Sequence, residues 1–354
     1  MRIAVDAMGG DDAPMATVRG ALLAAALDPK SRFLLVGDEA KIRSEIDSVG
    51  WGEVSPSSIE VIPAADAVGM GESPIEALRK KKDTSILKAA QLVADHKADA
   101  LVSAGNTGAT VAATTLSLKL LKGVRRPGIA VTVPAVQGVA TIIDVGANIH
   151  CKPIHLYQYA LMASAYHQHI YRHPDPKVGL LNIGEEVRKG NDLVHKTADL
   201  LRDSSLHFAG YVEGQEIYKG DCQVFVCDGF TGNMILKVSE GVAVGLIGMM
   251  KKRLSGEAVG RVGEEVVFLS RIKKWFFGRL MGKMKGIVDY SEYGGAPLLG
   301  VNGVCIIAHG RSDPKAIANA IRVAKEFSLH DVNRHIVEQL EPSRELDSAG
   351  KKVG

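Results

Sequence analysis

Aromatic residues are scarce in this chain, at 5 % of 354, and there are only four cysteines. Four thiols make no disulfide framework in a chain of this size, which excludes the small stapled secreted scaffolds. Cys222 and Cys227 fall in an expected strand, and their offset puts them on opposite faces, so they read as core-filling thiols rather than a metal pair. Excess charge is also missing. A net +3 is too small to argue for nucleic acid. No basic stretch followed by an apolar run opens the chain, which starts with the strand-like Ile3-Ala4-Val5; the expectation is a cytoplasmic protein without a signal peptide. The longest apolar-looking stretch, Val238 to Met250, contains Ser239, Glu240 and several glycines and reads as too short to span a bilayer. G-x-G-x-x-G, Walker A, H-E-x-x-H and G-x-S-x-G signatures are absent, which weakens nucleotide-binding, zinc-protease and serine-hydrolase readings.

What is present is an ordinary globular balance of 46 % apolar and 23 % charged residues. Short apolar runs alternate with helical patterns along most of the chain. Expected strands are Ile3–Ala7, Phe33–Val36, Ile59–Ile62, Ala100–Ser103, Ile129–Val133, Ala140–Asp144, Val178–Leu181, His207–Gly210, Val224–Asp228 and Val304–His309. Expected helices are Ala16–Leu27, Ser85–His96, Gly108–Leu121, Pro153–Tyr171, Asp192–Arg202, Gly232–Arg253 and Pro314–Phe327. The alternation predicts an α/β fold, a three-layer α/β/α sandwich around a largely parallel sheet. Residues 1–340 read as one large unit, or two tightly joined lobes, and 341–354 as a polar, frayed tail.

Strand after strand ends in a loop of Gly, Asn, Ser, Thr or Asp, often followed by a helix. In an open α/β sheet such loops gather at the carboxyl edge, where ligands bind, and a helix start favours an anion. The set predicts one anion-handling cleft. Its members are Gly9, Gly10 and Asp11; Ser103, Gly105, Asn106, Thr107 and Gly108; Asn148; Asn182 and Gly184; and Thr231, Gly232 and Asn233. Lys189 and Lys237 follow loops of the set as anion partners. Asp228 ends a strand and could orient a cationic group or accept a proton, or simply cap a turn; His309 is a candidate general acid, base or oxyanion donor. Asp6 and Asp11 could hold Mg²⁺, but the turn-holding reading is preferred.

The run Arg79-Lys80-Lys81-Lys82 reads as solvated surface or as a docking face for an acidic protein. His155, His167, His169 and His173 have no convincing third ligand and are expected to be solvent-exposed. In 264–288, Leu269, Ile272, Trp275, Phe276 and Leu280 recur at helical spacing among six cations. Such a basic amphipathic helix suits a membrane surface, and equally an apolar face packed on the core or on a second subunit.

Met8-Gly-Gly-Asp11 with Ala13-Pro14, Ser103-Ala-Gly-Asn-Thr-Gly108, Asp144-Val-Gly-Ala-Asn148, Leu181-Asn-Ile-Gly-Glu185, Asp228-Gly-Phe-Thr-Gly-Asn233, Tyr293-Gly-Gly-Ala296 and His309-Gly310 together resemble the bacterial phosphate acyltransferase (PlsX) family, in order over residues 1 to about 330. His150 departs from the pattern, where the family would place an aspartate. The resemblance implies transfer of an acyl group from acyl-acyl carrier protein to inorganic phosphate, with the acyl phosphate feeding glycerol-3-phosphate acylation in phospholipid synthesis. It implies a homodimer associated peripherally with the membrane, and a fold similar to isocitrate and isopropylmalate dehydrogenases and to phosphotransacetylase. Phosphate is itself the nucleophile, so the chemistry asks for positioning and fixed oxyanion donors, with no cofactor and no metal. Asn106, Lys189, Asp228 and His309 are the catalytic candidates. Arg79–Lys82 suits the carrier protein, and 264–288 the membrane. The alternatives are a soluble phosphotransacetylase acting on short acyl-CoA, a dehydrogenase of the same fold, and a non-enzymatic phosphate- or lipid-binding module.

Overall fold

The computed structural model describes residues 1–255 and 294–348. The expected amphipathic helix at 264–288 and Tyr293 lie outside the described residues.

Eleven strands form one sheet. They are β1 (Arg2–Asp6), β2 (Arg32–Gly37), β3 (Ile59–Pro63), β4 (Ala100–Ser103), β5 (Gly128–Pro134), β6 (Val139–Ile143), β7 (Val178–Leu181), β8 (Phe208–Val212), β9 (Val224–Val226), β10 (Ala296–Leu299) and β11 (Cys305–Ile307). Their order is β3-β2-β1-β4-β11-β10-β5-β6-β9-β7-β8. Strands β3, β2, β1, β4 and β11 run parallel to one another, as do β6, β9, β7 and β8. Between the two blocks, β10 is antiparallel to β11 and β5, and β5 is antiparallel to β6. Three antiparallel steps reverse direction, so the two parallel blocks run in opposite senses.

The helices are α1 (Met15–Leu27), α2 (Glu39–Val49), α3 (Pro74–Lys80), α4 (Ser85–Ala94), α5 (Thr107–Leu118), α6 (Pro153–Tyr171), α7 (Asp192–Arg202), α8 (Gly229–Ser255), α9 (Pro314–Leu329) and α10 (Val332–Ser348). One face of the sheet packs α1, α2, α6, α7, α9 and α10; the other packs α3, α4 and α5, with Ile235 and Leu236 of α8. The inner strands are buried on both faces, and the edge strands β3 and β8 only in part. Ala4, Leu34 and Phe225 face one layer, and Ile3, Phe33 and Val224 the other. This is the expected three-layer α/β/α sandwich. Side-chain caps start several helices: Asp38, Thr84, Asn191 and Asp313 each accept from a first-turn amide.

Four elements differ from expectation. α2 and α3 fill segments read as connections. β10 carries Pro297, which argues against a central strand; it survives because Ala296 and Pro297 register with β11 while Leu298 and Leu299 register with β5. α10 runs through Glu341 to Ser348, anchored by buried Val332, Ile336 and Leu340 at helical spacing, so the expected frayed tail begins as helix.

The histidine expectation is also corrected. His155 and His167 are buried, and His169 stacks on His335 with ring centres 3.5 Å apart. His167 Nδ1 lies 3.0 Å from Thr141 Oγ1, and burial pushes its pKa down to about 4. Cys222 lies outside β9, so strand alternation does not apply to it. Cys222 and Cys227 share one core layer rather than opposite faces.

Candidate active site

The polar loops form two groups rather than one, because the parallel blocks point opposite ways. The first group caps β1, β4 and β11, where Asp6, Ser103 and Ile307 are in register. Gly9 lets two loops touch: a Cβ there would sit 2.6 Å from the Gly105 nitrogen and 2.8 Å from Asp6 Oδ2. Asp11 N donates to Gly310 O at 2.7 Å, and a Cβ on Gly10 would sit 3.1 Å from that oxygen. Ser103 is buried; its hydroxyl donates to Asp6 Oδ2 at 2.8 Å and accepts from Gly105 N at 3.1 Å. Asn106 caps α5 by accepting from Ala109 N at 3.1 Å, and its Nδ2 donates to Met70 O and Glu72 O. Both ends of that amide are thus engaged within the protein, and Thr107 and Gly108 are left exposed at the helix start. Beside Asp6 lies a cavity of about 10 Å³, room for a single water. Asp6 is buried with Oδ1 unpartnered, and burial raises its pKa against the pull of Ser85 and Ser103. Asp11 turns away, its carboxylate 3.8 Å from Arg311, so the two acids form no pair. Among the described residues no three metal-ligating side chains cluster.

The second group caps β6, β9 and β7. Asp144 is fully buried and organises its own loop: its carboxylate accepts from the amides of Ile129, Gly146, Ala147 and Asn148 at 2.7–3.1 Å. Burial raises its pKa, opposed by those four donors. Asn148 Nδ2 donates to Pro127 O at 2.6 Å and to Tyr159 Oη at 2.8 Å, which fixes that side chain in the scaffold. α8 starts against this loop with almost no clearance. A Cβ on Gly229 would sit 2.6 Å from Asn148 O, and one on Gly232 only 2.0 Å from Asp144 O.

The amides at the start of α8 are already satisfied. Gly229 N donates to Asn148 O, Phe230 and Thr231 N to Asp228 Oδ1, and Gly232 N to Asp228 O. Thr231 Oγ1 donates to Asp228 Oδ2 at 2.8 Å. Asp228 is therefore the cap of α8, and the expected anion cradle at Thr231 and Gly232 is occupied by the protein's own acceptors. Asn233 remains exposed beside Gly146.

After β7, Asn182 Nδ2 donates to Gly184 O and Lys189 O, folding the loop back on itself. A Cβ on Gly184 would sit 2.5 Å from Lys189 Cδ. Lys189 is exposed and pairs with Glu186 at 2.9 Å, which holds its ammonium above the usual lysine range. Between this loop and the start of α8 opens a cavity of about 350 Å³. Its polar lining includes Asn182, Asn191, Asp228 and Thr231. The remaining wall is largely apolar and was not anticipated: Leu193 and Val194 sit on α7 next to its cap, and the strong amphipathicity of that helix was the available signal.

α8 connects the two groups. Two turns beyond its start, about 12 Å along the axis, Lys237 Nζ lies 3.3 Å from His309 Nε2 and 3.0 Å from Glu240. His309 Nδ1 accepts from Arg311 N at 3.1 Å. Burial, then the Lys237 charge, lowers the His309 pKa, so the ring is neutral at neutral pH. Arg311 was not singled out from sequence; its place two residues past His309 was the only signal. Of the basic run, Lys81 is consumed by Glu72 at 2.8 Å, while Arg79, Lys80 and Lys82 are exposed at and just beyond the end of α3.

The sandwich and the mostly apolar pocket with a polar end define an α/β protein with a site shaped for an organic ligand. Solved structures share the fold: a phosphotransacetylase from Streptococcus pyogenes (TM-score 0.60, 17 % identity, 93 % of this chain and 94 % of that one) and a 4-hydroxythreonine-4-phosphate dehydrogenase from Klebsiella pneumoniae (0.51, 13 %, 93 % and 99 %). The family model described as "Fatty acid synthesis protein" matches residues 1–335. Proteins named phosphate acyltransferase are 46 % identical in Pelobacter propionicus (96 % of this chain, 94 % of that one) and 45 % in Desulforamulus reducens (98 % and 99 %). The chain belongs to this phosphate acyltransferase family and is an acyltransferase that uses phosphate.

Proposed function

We propose that the enzyme moves a long-chain acyl group from acyl-acyl carrier protein to inorganic phosphate, yielding acyl phosphate for phospholipid synthesis. The observation that carries this reading is the 350 Å³ pocket, with a polar end at Asn182, Asp228 and Thr231 and an apolar wall behind it. A thioester has the same division. A phosphate oxygen attacks the carbonyl carbon, an oxyanion forms, the C–S bond breaks, and the thiolate leaves with a proton. No acyl-enzyme is needed. Cys227, the thiol in the pocket wall, is pushed well above the usual thiol range by burial and is no nucleophile at neutral pH.

Lys189 at the loop beside the pocket neutralises developing charge. Asn233, Lys237 and His309 lie along another face of α8, away from the pocket, where the Lys237 ammonium beside the His309 ring forms a second polar cluster suited to an anion. Arg79, Lys80 and Lys82 form the exposed cationic face for an acidic carrier protein. The exposed apolar residues of α8 suit a homodimer, and the sequence at 264–288 suits peripheral membrane attachment on the cytoplasmic side, close to a glycerol-3-phosphate acyltransferase that consumes the product.

The test is phosphate-dependent loss of thioester from long-chain acyl-carrier protein, with acyl phosphate trapped by hydroxylamine. Turnover that requires phosphate is expected, and Lys189→Ala should lower it about 100-fold, the scale of one lost oxyanion donor. Turnover with short acyl-CoA and none with carrier protein would transfer the enzyme to the phosphotransacetylase reading.

A further inference from the structure

The 350 Å³ cavity is larger than a thioester carbonyl and its attacking phosphate require. Leu156, Leu181, Leu193, Val194 and Ile235 contribute apolar side chains from four different elements, α6, β7, α7 and α8. Leu156 and Leu181 are buried and form its floor, while Leu193, Val194 and Ile235 are half-buried walls. Every polar side chain in the lining belongs to Asn182, Asn191, Asp228 or Thr231, at the ends of β7 and β9 and the starts of α7 and α8. Mostly apolar walls with a few placed polar groups are the signature of a site for an organic ligand rather than for an ion.

We propose that this cavity is the acyl-chain site, that it takes the chain with its thioester end toward the loop of Asn182 and Lys189, and that Val194 and Ile235 set the length accepted. The proposal deepens the functional reading above and rests on its acyl donor. Selectivity is expected to rise by about fourfold per added methylene while the chain is still being buried, the burial gain of one CH2, and to level off once it reaches the Val194 and Ile235 walls. Longer chains leave the excess outside the cavity.

Two measurements test this. The first is saturable binding of a dansyl-labelled undecanoic acid, which needs no turnover. Wild type should bind it, and Val194→Phe, which fills the wall, should bind about tenfold or more weakly, as expected for losing two methylenes of burial. The second is the ratio of kcat/KM for dodecanoyl- over butanoyl-carrier protein, expected to fall by about tenfold or more in Val194→Phe and to shift toward longer donors in Leu193→Ala. Ile235→Phe, from the facing helix, repeats the test if Val194→Phe melts early. Equal probe binding in wild type and both Phe variants, or an unchanged ratio, overturns the assignment. Absence of phosphate-dependent turnover with every donor would sink the functional reading instead, and the probe titration would still decide the cavity.

Discussion

Asp6 carries a carboxyl into the core with Oδ2 bonded to Ser103 and Oδ1 facing no partner. Burial raises its pKa above 3.8, so the native state holds a proton that the unfolded chain gives up. The stability this group contributes is fully present below pH 3.8 and is lost as pH rises through the native pKa. Asp6→Asn keeps the acceptor for Ser103 and mimics the neutral acid. Denaturant melts should therefore show the variant gaining on wild type with rising pH and matching it in acid; a constant difference across pH would show that Asp6 ionises freely in the fold. The sequence exposed such residues only in part. It marked Asp6, Ser103, Asn106, Thr231 and Asn148 as polar groups at strand ends. It could not show that most of them turn inward, because whether a hydroxyl or amide meets a ligand or a neighbouring loop depends on backbone brought together from residues far apart in the chain. Asp144 is the sharpest case: a strand-end acid that satisfies four amides and faces no solvent.

At the scale of elements, periodicity carried most of the information. Strands buried on both faces wrote themselves as apolar runs, and capped helices announced their starts. β10 was hidden because it is four residues long and contains Pro297. α8 is the element on which the site depends, since its first turn is pressed against the 144–148 loop and its third bears Lys237. Gly232→Ala would drive a methyl into Asp144 O, where the clearance is 2.0 Å. The expected cost is about 1–3 kcal/mol of stability, read by thermal melting, together with loss of turnover as Asp228 and Lys237 move. Retained stability and activity would mean that α8 can slide. The reading of its apolar stretch also changes. Gly229–Met250 is long and apolar enough, by length and composition, to cross a membrane, because the helix starts earlier than the Val238–Met250 segment considered from sequence. Its start is nonetheless packed into the sheet.

At the scale of the molecule, Val238, Val242, Leu246 and Met249 form one exposed apolar stripe along α8. If a second copy covers it, as proposed, Val242→Asp should convert a dimer to a monomer in sedimentation velocity runs; a wild-type chain that sediments as a monomer, or an unaffected dimer in the variant, would refute that partner. The opposed directions of the two strand blocks were not legible in the sequence, because alternation of strands and helices fixes neither strand order nor sense. That arrangement also bears on synthesis. β4 and β5 are separated in the sheet by β11 and β10, which lie about 160 residues further along the chain than β5. At roughly 5–20 residues per second, a ribosome leaves that gap open for roughly 10–30 seconds. During this interval both flanking strands expose unpaired edges. The nascent protein therefore depends on a chaperone or on its own helices to keep the slot clear, and messages cut short before codon 296 should yield aggregates rather than a folded first half.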